Sequence, residues 1–172
     1  MGHILKMKPV FKEMIWGGHK LKDVYGYEIP SDHTGECWAV SAHKNGDCTI
    51  ENSEFAGKTL SWLFEHHREL FGNIEGEEFP LLVKIIDARD DLSVQVHPND
   101  EYARVHEDSL GKTECWYVLQ ADEGTKMVMG HHAKTKDEFI KAIEEDDYDN
   151  LLNSFAIEKG DCLLYTSDAA DD

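Results

Sequence analysis

The feature that most constrains the fold is segment 79–97, where a continuous apolar run is followed by strict alternation. The run reads FPLLVKIIDA and is rich in branched residues, which predicts a well-buried strand interrupted only by Lys84. The next residues read DLSVQVHPND and predict a second strand, with Ser93, Gln95 and His97 on one face. Two strands in close succession favour a mainly β protein.

The rest of the chain repeats this alternation of short strands and tight turns. Asn45-Gly46 lies between two strand-like runs, which predicts a β-hairpin. Helices are predicted where a capping residue precedes apolar residues at helical spacing, over 59–72, after Asn99 or Asp100, and after Thr135. The sequence KTECWYVLQA after Gly111 predicts another strand, and the acidic run 144–149 predicts a solvated turn.

These elements predict a small β-barrel or sandwich with short helical additions. Helices do not alternate regularly with strands, so a parallel α/β sheet is disfavoured. No internal repeat is evident, and 172 residues suit one domain, which we place over residues 1–165.

Charge limits the partners of this chain. Its 17 basic and 35 acidic residues give a formal net charge of -18, which repels nucleic acid and anionic membrane. The same charge would repel a phosphorylated ligand, so a phosphate site requires a few lysines or arginines gathered locally.

The subcellular location predicted from the sequence is the cytoplasm. The four cysteines have no CxxC spacing and indicate reduced thiols. Neither a signal peptide nor an apolar stretch long enough to span a membrane is present. The sequence leaves the oligomeric state open.

One set of side chains has the chemistry of a metal site. Gln95 and His97 share a strand face, and Glu114 shares a face with Lys112 on the later strand. If these strands are neighbours, an imidazole, a carboxylate and an amide oxygen converge, which suits zinc or another borderline divalent ion. From spacing alone, a hydrogen-bonded structural role is the more frequent explanation.

Two histidine pairs are weaker candidates for a metal site. Adjacent residues on a helix point about 100° apart, so His66 and His67 are expected to be surface or core residues. Adjacent residues on a strand face opposite sides of a sheet, which disfavours joint chelation by His131 and His132.

The residues quoted above resemble a known family. The run FPLLVKIIDARDDLSVQVHPND followed by GKTECWYVL resembles class I mannose-6-phosphate isomerases, particularly their short bacterial form. Upstream, IWGG at 15–18 and GECWAVSAHKNG at 35–46 are similar to further family motifs. The resemblance extends over roughly positions 7 to 163.

This resemblance implies a cupin, a jelly-roll-like β-barrel, that binds one zinc ion per chain and a sugar phosphate. It implies that Gln95, His97 and Glu114 are zinc ligands, and that Lys84, Ser93 and Lys112 lie in the sugar-phosphate pocket. The family interconverts mannose 6-phosphate and fructose 6-phosphate, and a metal stabilises the charge that develops in such an enediol reaction.

The implied roles of the lysines and the serine differ. Lys112 is the candidate general base, because a lysine beside a cation gives up its proton more readily, and a hydroxide on the metal is the alternative base. Lys84 and Ser93 would hold phosphate or hydroxyl groups. Lys84 also has an ordinary explanation, since lysine stems often run along apolar surface.

The sequence departs from the family pattern after Gly160. The family continues into P-x-G-x-x-H-A, whose histidine is a fourth ligand, whereas this chain reads CLLYTSDAADD. We therefore expect an incomplete barrel that lacks the fourth ligand, a downstream arginine and a second cupin domain. We also expect residues 166–172 to be a disordered or artefactual tail, and the chain to be weakly active or inactive.

Two function classes remain after these observations. The first is a zinc-dependent aldose-ketose isomerase, and the second is a non-catalytic cupin that binds metal or sugar. The lysines at 84 and 112 favour the isomerase, since a pure metal binder does not need two lysines beside its ligands.

Overall fold

The computed structural model describes residues 4–108 and 111–165. The chain divides into two compact units, of which the first ends at Ser93 and the second begins at Val94. The sequence prediction of one domain over 1–165 stays a prediction. The tail predicted at 166–172 lies outside the described residues.

Both units contain short strands, as the sequence predicts. The described strands are β1 Met7–Lys8, β2 Val10–Gly18, β3 Thr34–Val40, β4 Ala42–His43, β5 Gly46–Asp47, β6 Thr49–Ile50, β7 Val83–Ile86, β8 Glu114–Tyr117, β9 Lys126–His131, β10 Leu152–Ala156 and β11 Cys162–Tyr165. The helices are α1 Lys20–Asp23, α2 Leu60–His66, α3 Asp100–His106, α4 Lys136–Glu144 and α5 Tyr148–Leu151, with a 3-10 helix at Arg68–Phe71.

The first unit is built on an antiparallel sheet in the order β2, β3, β7. The central strand β3 pairs Trp38 with Lys84 of β7, and Glu36 with Lys12 of β2. Because directly paired residues face the same side of a sheet, these four side chains share one face. Cys37, between Glu36 and Trp38 on β3, is fully buried.

Most of the buried apolar side chains belong to this first unit. Those among the described residues are Trp16, Leu21, Cys37, Trp38, Cys48, Ile50, Leu60, Leu63 and Phe64. Phe64 also makes edge-to-face contacts with Phe71 and Phe79, at centroid distances of 5.2 and 5.6 Å. This cluster gives the first unit a well-packed hydrophobic core.

The hairpin predicted at Asn45-Gly46 is confirmed. Strands β4 and β5 pair antiparallel across it, with His43 opposite Gly46. Gly46 lies against the Trp38 ring so closely that a Cβ there would come within 2.7 Å of a ring carbon. The absence of a side chain at Gly46 therefore allows the Trp38 ring to pack against the hairpin.

The helix predicted over 59–72 is confirmed, with a break in the middle. The Thr59 hydroxyl accepts a hydrogen bond from the Trp62 amide and caps α2, as predicted. The helix ends at His66, and the 3-10 helix that follows ends at Phe71 and is capped by Gly72, which has a φ of 71°. Gly72 provides the left-handed conformation that terminates the segment.

One strand prediction is confirmed only in part, and another is wrong. Only Val83–Ile86 of the apolar run forms a strand, and Leu81, Leu82 and Val83 are exposed rather than well buried. Segment 92–97 has no regular secondary structure. An alternating pattern defines two faces but no hydrogen-bonding partner, and a strand requires both.

The second unit contains two antiparallel strand pairs, β8 with β11 and β9 with β10. Two predicted helix caps are confirmed here, because Asn99 accepts from the Tyr102 amide and Thr135 from the Glu138 amide. Helix α5, at the end of the acidic run, was not predicted. The buried apolar side chains described in this unit are Ala103, Val118 and Leu151.

The prediction of a mainly β fold with short helices is confirmed, whereas a closed barrel is not observed. The described strands form five small sheets, the largest of which has three strands. None of the helices in the described part of the chain is long and apolar enough to cross a membrane.

Candidate functional site

Three of the predicted site residues meet in the second unit, at the carboxylate of Glu114. Its Oε2 atom lies 3.1 Å from Nε2 of His97 and 2.8 Å from Nζ of Lys112. The side chains of His97 and Glu114 are 17% and 23% exposed, so both are partly shielded but reachable by a small ligand. An imidazole, a carboxylate and an ammonium group therefore meet here, whereas the predicted convergence was of His97 and Glu114 with the amide oxygen of Gln95.

Strand geometry explains why this cluster forms. Glu114 begins β8, which pairs with β11 along its whole length, and successive residues of β8 alternate between partly buried and exposed. Lys112 lies two residues before Glu114, in the irregular segment that leads into β8, and reaches the same carboxylate. His97 comes from the irregular segment that leads into α3.

A fourth side chain completes the surroundings of Glu114. The indole Nε1 of Trp116 donates a hydrogen bond of 2.6 Å to Oε1 of Glu114, the oxygen that neither His97 nor Lys112 contacts. Sequence reasoning did not assign Trp116 a role. The two carboxylate oxygens thus have different partners, the indole on one side and the two basic groups on the other.

Opposing effects set the pKa of Glu114. Burial raises this pKa, whereas the hydrogen bonds from Lys112 and His97, the charge of Lys112 and the hydrogen bond from Trp116 lower it. The lowering effects outweigh burial, so the pKa of Glu114 lies below its ordinary value. The carboxylate is therefore charged near neutral pH and suited to pair with a cation.

Tyr165 is a further neighbour of the cluster. It pairs with Glu114 across the β8 and β11 strands, and its ring centroid lies 6.2 Å from that of His97. Its hydroxyl donates to the Val128 carbonyl at 2.7 Å. Burial, followed by the charge of Glu114, raises the pKa of Tyr165, which keeps the hydroxyl neutral.

The remaining predicted site residues are not part of this cluster. Gln95 is exposed, and no hydrogen bond or ion pair among the described residues joins it to His97 or Glu114. Ser93 is exposed at the end of the first unit. Lys84 lies in β7 of the first unit, where it has its own acidic partner.

That partner is Glu36, and the two residues belong to a second polar cluster. Nζ of Lys84 lies 3.3 and 3.2 Å from the two carboxylate oxygens of Glu36. Trp38 donates its indole N–H to Glu36 at 2.6 Å, and Nζ of Lys84 lies 4.9 Å from the centroid of the Trp38 ring. Lys84 is thus neither an unpaired buried lysine nor a lysine whose charge extends into water.

The two clusters share a sequence signal that the search for repeats missed. The tripeptide Glu-Cys-Trp occurs at 36–38 and again at 114–116. In each copy the tryptophan, two residues after the glutamate on the same strand face, donates its indole N–H to that carboxylate at 2.6 Å. A search for repeats of only three residues would have drawn attention to Trp116.

The geometry fits a divalent cation at two of the three predicted ligands. Nε2 of His97 and Oε2 of Glu114 are directed at each other, and a mixed nitrogen and oxygen set suits zinc. Within residues 4–108 and 111–165, no three histidine, cysteine or acidic side chains gather as a complete metal cluster. His131 instead lies against Phe139, with ring centroids 4.8 Å apart.

A histidine, a carboxylate and a lysine that converge at a partly exposed point are typical of enzymes that move protons on small polar substrates. The strand-rich fold around them agrees with that class. Comparison with known proteins identifies the family.

Residues 4–150 match the model of the phosphomannose isomerase type I catalytic domain, and the chain belongs to this family. It is 55% identical over 164 residues, 95% of its length, to mannose-6-phosphate isomerase ManA of Bacillus subtilis. It is 49% identical over 167 residues, 97% of its length, to the mannose-6-phosphate isomerase of Streptococcus mutans. These alignments cover 52% and 53% of the relatives, so the chain spans about half the length of the curated relatives it matches.

The structure agrees with this assignment. The crystal structure of the mannose 6-phosphate isomerase from Bacillus subtilis superposes with a TM-score of 0.91 at 48% identity. The match covers 93% of this chain and 51% of that one. The family predicted from the sequence is therefore confirmed.

Proposed function

We propose that this chain carries the metal-binding and proton-transfer part of a mannose-6-phosphate isomerase, which interconverts mannose 6-phosphate and fructose 6-phosphate. The observation that carries the proposal is the convergence of His97, Glu114 and Lys112. Family membership and close relatives named mannose-6-phosphate isomerase support it. We further propose that the strands belong to a cupin.

His97 and Glu114 would hold the metal, which we propose to be one zinc ion per chain, and Gln95 is the proposed third ligand. When bound, zinc polarises a substrate carbonyl and stabilises the negative charge that develops on its oxygen. The partly buried imidazole and the carboxylate with its lowered pKa support this assignment.

Lys112 is the proposed general base. As the free amine, its Nζ atom would take the proton from C2 of open-chain mannose 6-phosphate; the C2–H electron pair would form the C1–C2 double bond while the C1–O π pair moves onto O1, which gives an enediol. Return of the proton to C1 and transfer of the O2 proton to O1 would then give the C2 ketone of fructose 6-phosphate. The Lys112 side chain is 50% exposed, so a substrate can reach it, and its contact with Glu114 sets its position.

Lys84 and Ser93 are the proposed contacts to the phosphate or hydroxyl groups of the sugar. The chain has a net charge of -18, so a phosphate requires a local positive charge such as Lys84. The pairing of Lys84 with Glu36 keeps this ammonium group at a fixed place on β7.

Because the chain spans about half the length of its relatives, the activity is best tested in two forms. One is the chain as printed, and the other is residues 1–161 joined to the remainder of the ManA relative. A coupled assay of fructose 6-phosphate formation with added zinc should show turnover by the joined protein and little or none by the chain as printed. Comparable turnover by the two proteins would contradict our proposal that this chain is a part of the active enzyme.

The role of Lys112 is tested in the same joined protein. Lys112→Met keeps the length of the stem and removes the amine, so we expect most turnover to disappear while zinc content stays the same. Turnover retained in this variant would assign the proton transfer to another group.

A further inference from the structure

Trp116 contacts Glu114 of the proposed metal site and has no assigned role. It is two residues beyond Glu114 on β8, and a strand places such residues side by side on one face. The indole can therefore reach the carboxylate without any distortion of the backbone.

The two oxygens of the Glu114 carboxylate have different partners. Trp116 donates to Oε1 at 2.6 Å, while Oε2 faces His97 and Lys112 at 3.1 and 2.8 Å. A carboxylate held at only one oxygen can rotate about its terminal bond. The indole removes this freedom and keeps Oε2 directed towards His97.

The Glu-Cys-Trp copy in the first unit shows that this contact is a local property of the tripeptide. Trp38 donates to Glu36 over the same distance, 2.6 Å, although Glu36 has a lysine of a neighbouring strand as its other partner. The indole contact is therefore the same in both copies, although the other oxygen of the carboxylate has different partners. It does not depend on a metal.

We infer that Trp116 is a positioning residue that orients Glu114 for metal binding. The inference rests on the proposed function, because it takes Glu114 to be a metal ligand. Partners of ligating side chains typically contribute 10- to 100-fold in metal affinity, because they fix the orientation of the ligand.

The test measures zinc binding to the full chain by competition with a chromophoric chelator. Trp116→Phe keeps an aromatic ring and removes the N–H donor, and we expect it to weaken zinc binding by about tenfold or more. Trp38→Phe is the matched control, since it removes the same contact from Glu36, and we expect its affinity to stay within about twofold of the parent. Circular dichroism verifies that all three proteins are folded.

A second test follows the indole N–H resonances of the parent protein by NMR. It uses the variants only to assign these resonances, so the binding measurement itself is made on the parent. The chain has four tryptophans and gives four indole N–H resonances, and the Trp116 resonance is the one absent from Trp116→Phe. Zinc should shift this resonance more than that of Trp38. A Trp116 resonance that stays unmoved at zinc saturation would overturn the inference.

The possible failures are distinguishable. A parent chain that binds no zinc contradicts the proposed function and, with it, this inference. A parent that binds zinc and a Trp116→Phe variant that binds it equally well contradict the inference alone. Equal weakening by Trp38→Phe and Trp116→Phe would also contradict it, because the effect would then be general.

Discussion

The two Glu-Cys-Trp clusters place the same three residues in different surroundings. In the first unit, Glu36 lies on the central strand of a three-stranded sheet and has Lys84 as its basic partner. In the second unit, Glu114 lies on a strand of a two-stranded sheet and has both Lys112 and His97 as partners. The histidine is the chemical difference between the clusters, because an ammonium group pairs with a carboxylate but does not ligate a metal.

The surroundings of the two clusters differ as well. Cys37, on the opposite face of β3 from Glu36, is fully buried, whereas Cys115, on the opposite face of β8 from Glu114, is exposed. The same tripeptide therefore has two different uses. In the packed sheet of the first unit it holds an ion pair, and in the second unit it presents a carboxylate to a histidine.

The largest effect that we expect concerns the two cores. Leu63→Ala removes a fully buried side chain from the first unit and should cost roughly 2–5 kcal/mol in the free energy of unfolding. Leu151→Ala makes the same change in the second unit and should cost less, because few buried side chains surround it. Urea denaturation followed by circular dichroism measures both. Equal losses would show that the two cores are equally well packed.

The second prediction compares the two lysines in their structural roles. Lys84→Met leaves Glu36, whose side chain is 12% exposed, without its cation, and should cost roughly 1–3 kcal/mol in stability. Lys112→Met should cost less than about 1 kcal/mol, because the Lys112 side chain is half exposed and its pair is screened by solvent. The same urea titrations apply. A larger loss from Lys112→Met would show that the Lys112–Glu114 pair contributes more to stability than the Lys84–Glu36 pair.

The smallest effect that we expect is a dependence of stability on pH. It should appear only in alkaline solution. Burial raises the pKa of the Cys37 thiol to about 11 from its ordinary value of 9.0. Because the folded state disfavours the thiolate, stability is fully present below pH 9 and falls as the pH rises towards 11. Thermal unfolding across this range should show a loss that is reduced in Cys37→Ala. An equal alkaline loss in both proteins would assign it to other groups.

Local signals allowed much of the fold to be predicted. The turn at Asn45-Gly46 and the caps at Thr59, Asn99 and Thr135 depend on neighbours within a few residues, and all of them are confirmed. Segment 92–97 was predicted wrongly because strand formation depends on a partner elsewhere in the chain. Local patterns carry no information about that partner.

The site could be predicted to a similar extent. Lys112 and Glu114 were predicted to share a face of one strand, and they meet although β8 begins only at Glu114; the convergence of His97 with Glu114 was implied by the resemblance. Gln95 was assigned by the alternation of a strand that is absent, and its role stays a prediction. Trp116 was missed because an indole N–H is usually treated as part of the packing rather than as a hydrogen-bond donor to a ligand.

Zinc affinity tests the central claim most directly, namely that the Glu114 cluster binds the metal and the Glu36 cluster does not. We expect one zinc ion per parent chain, a loss of at least about tenfold in affinity for Glu114→Gln, and a change within about twofold for Glu36→Gln. Both substitutions keep the hydrogen-bond acceptor for the neighbouring indole and remove one charge. Equal loss in the two variants, or a parent that binds no zinc, would contradict the account.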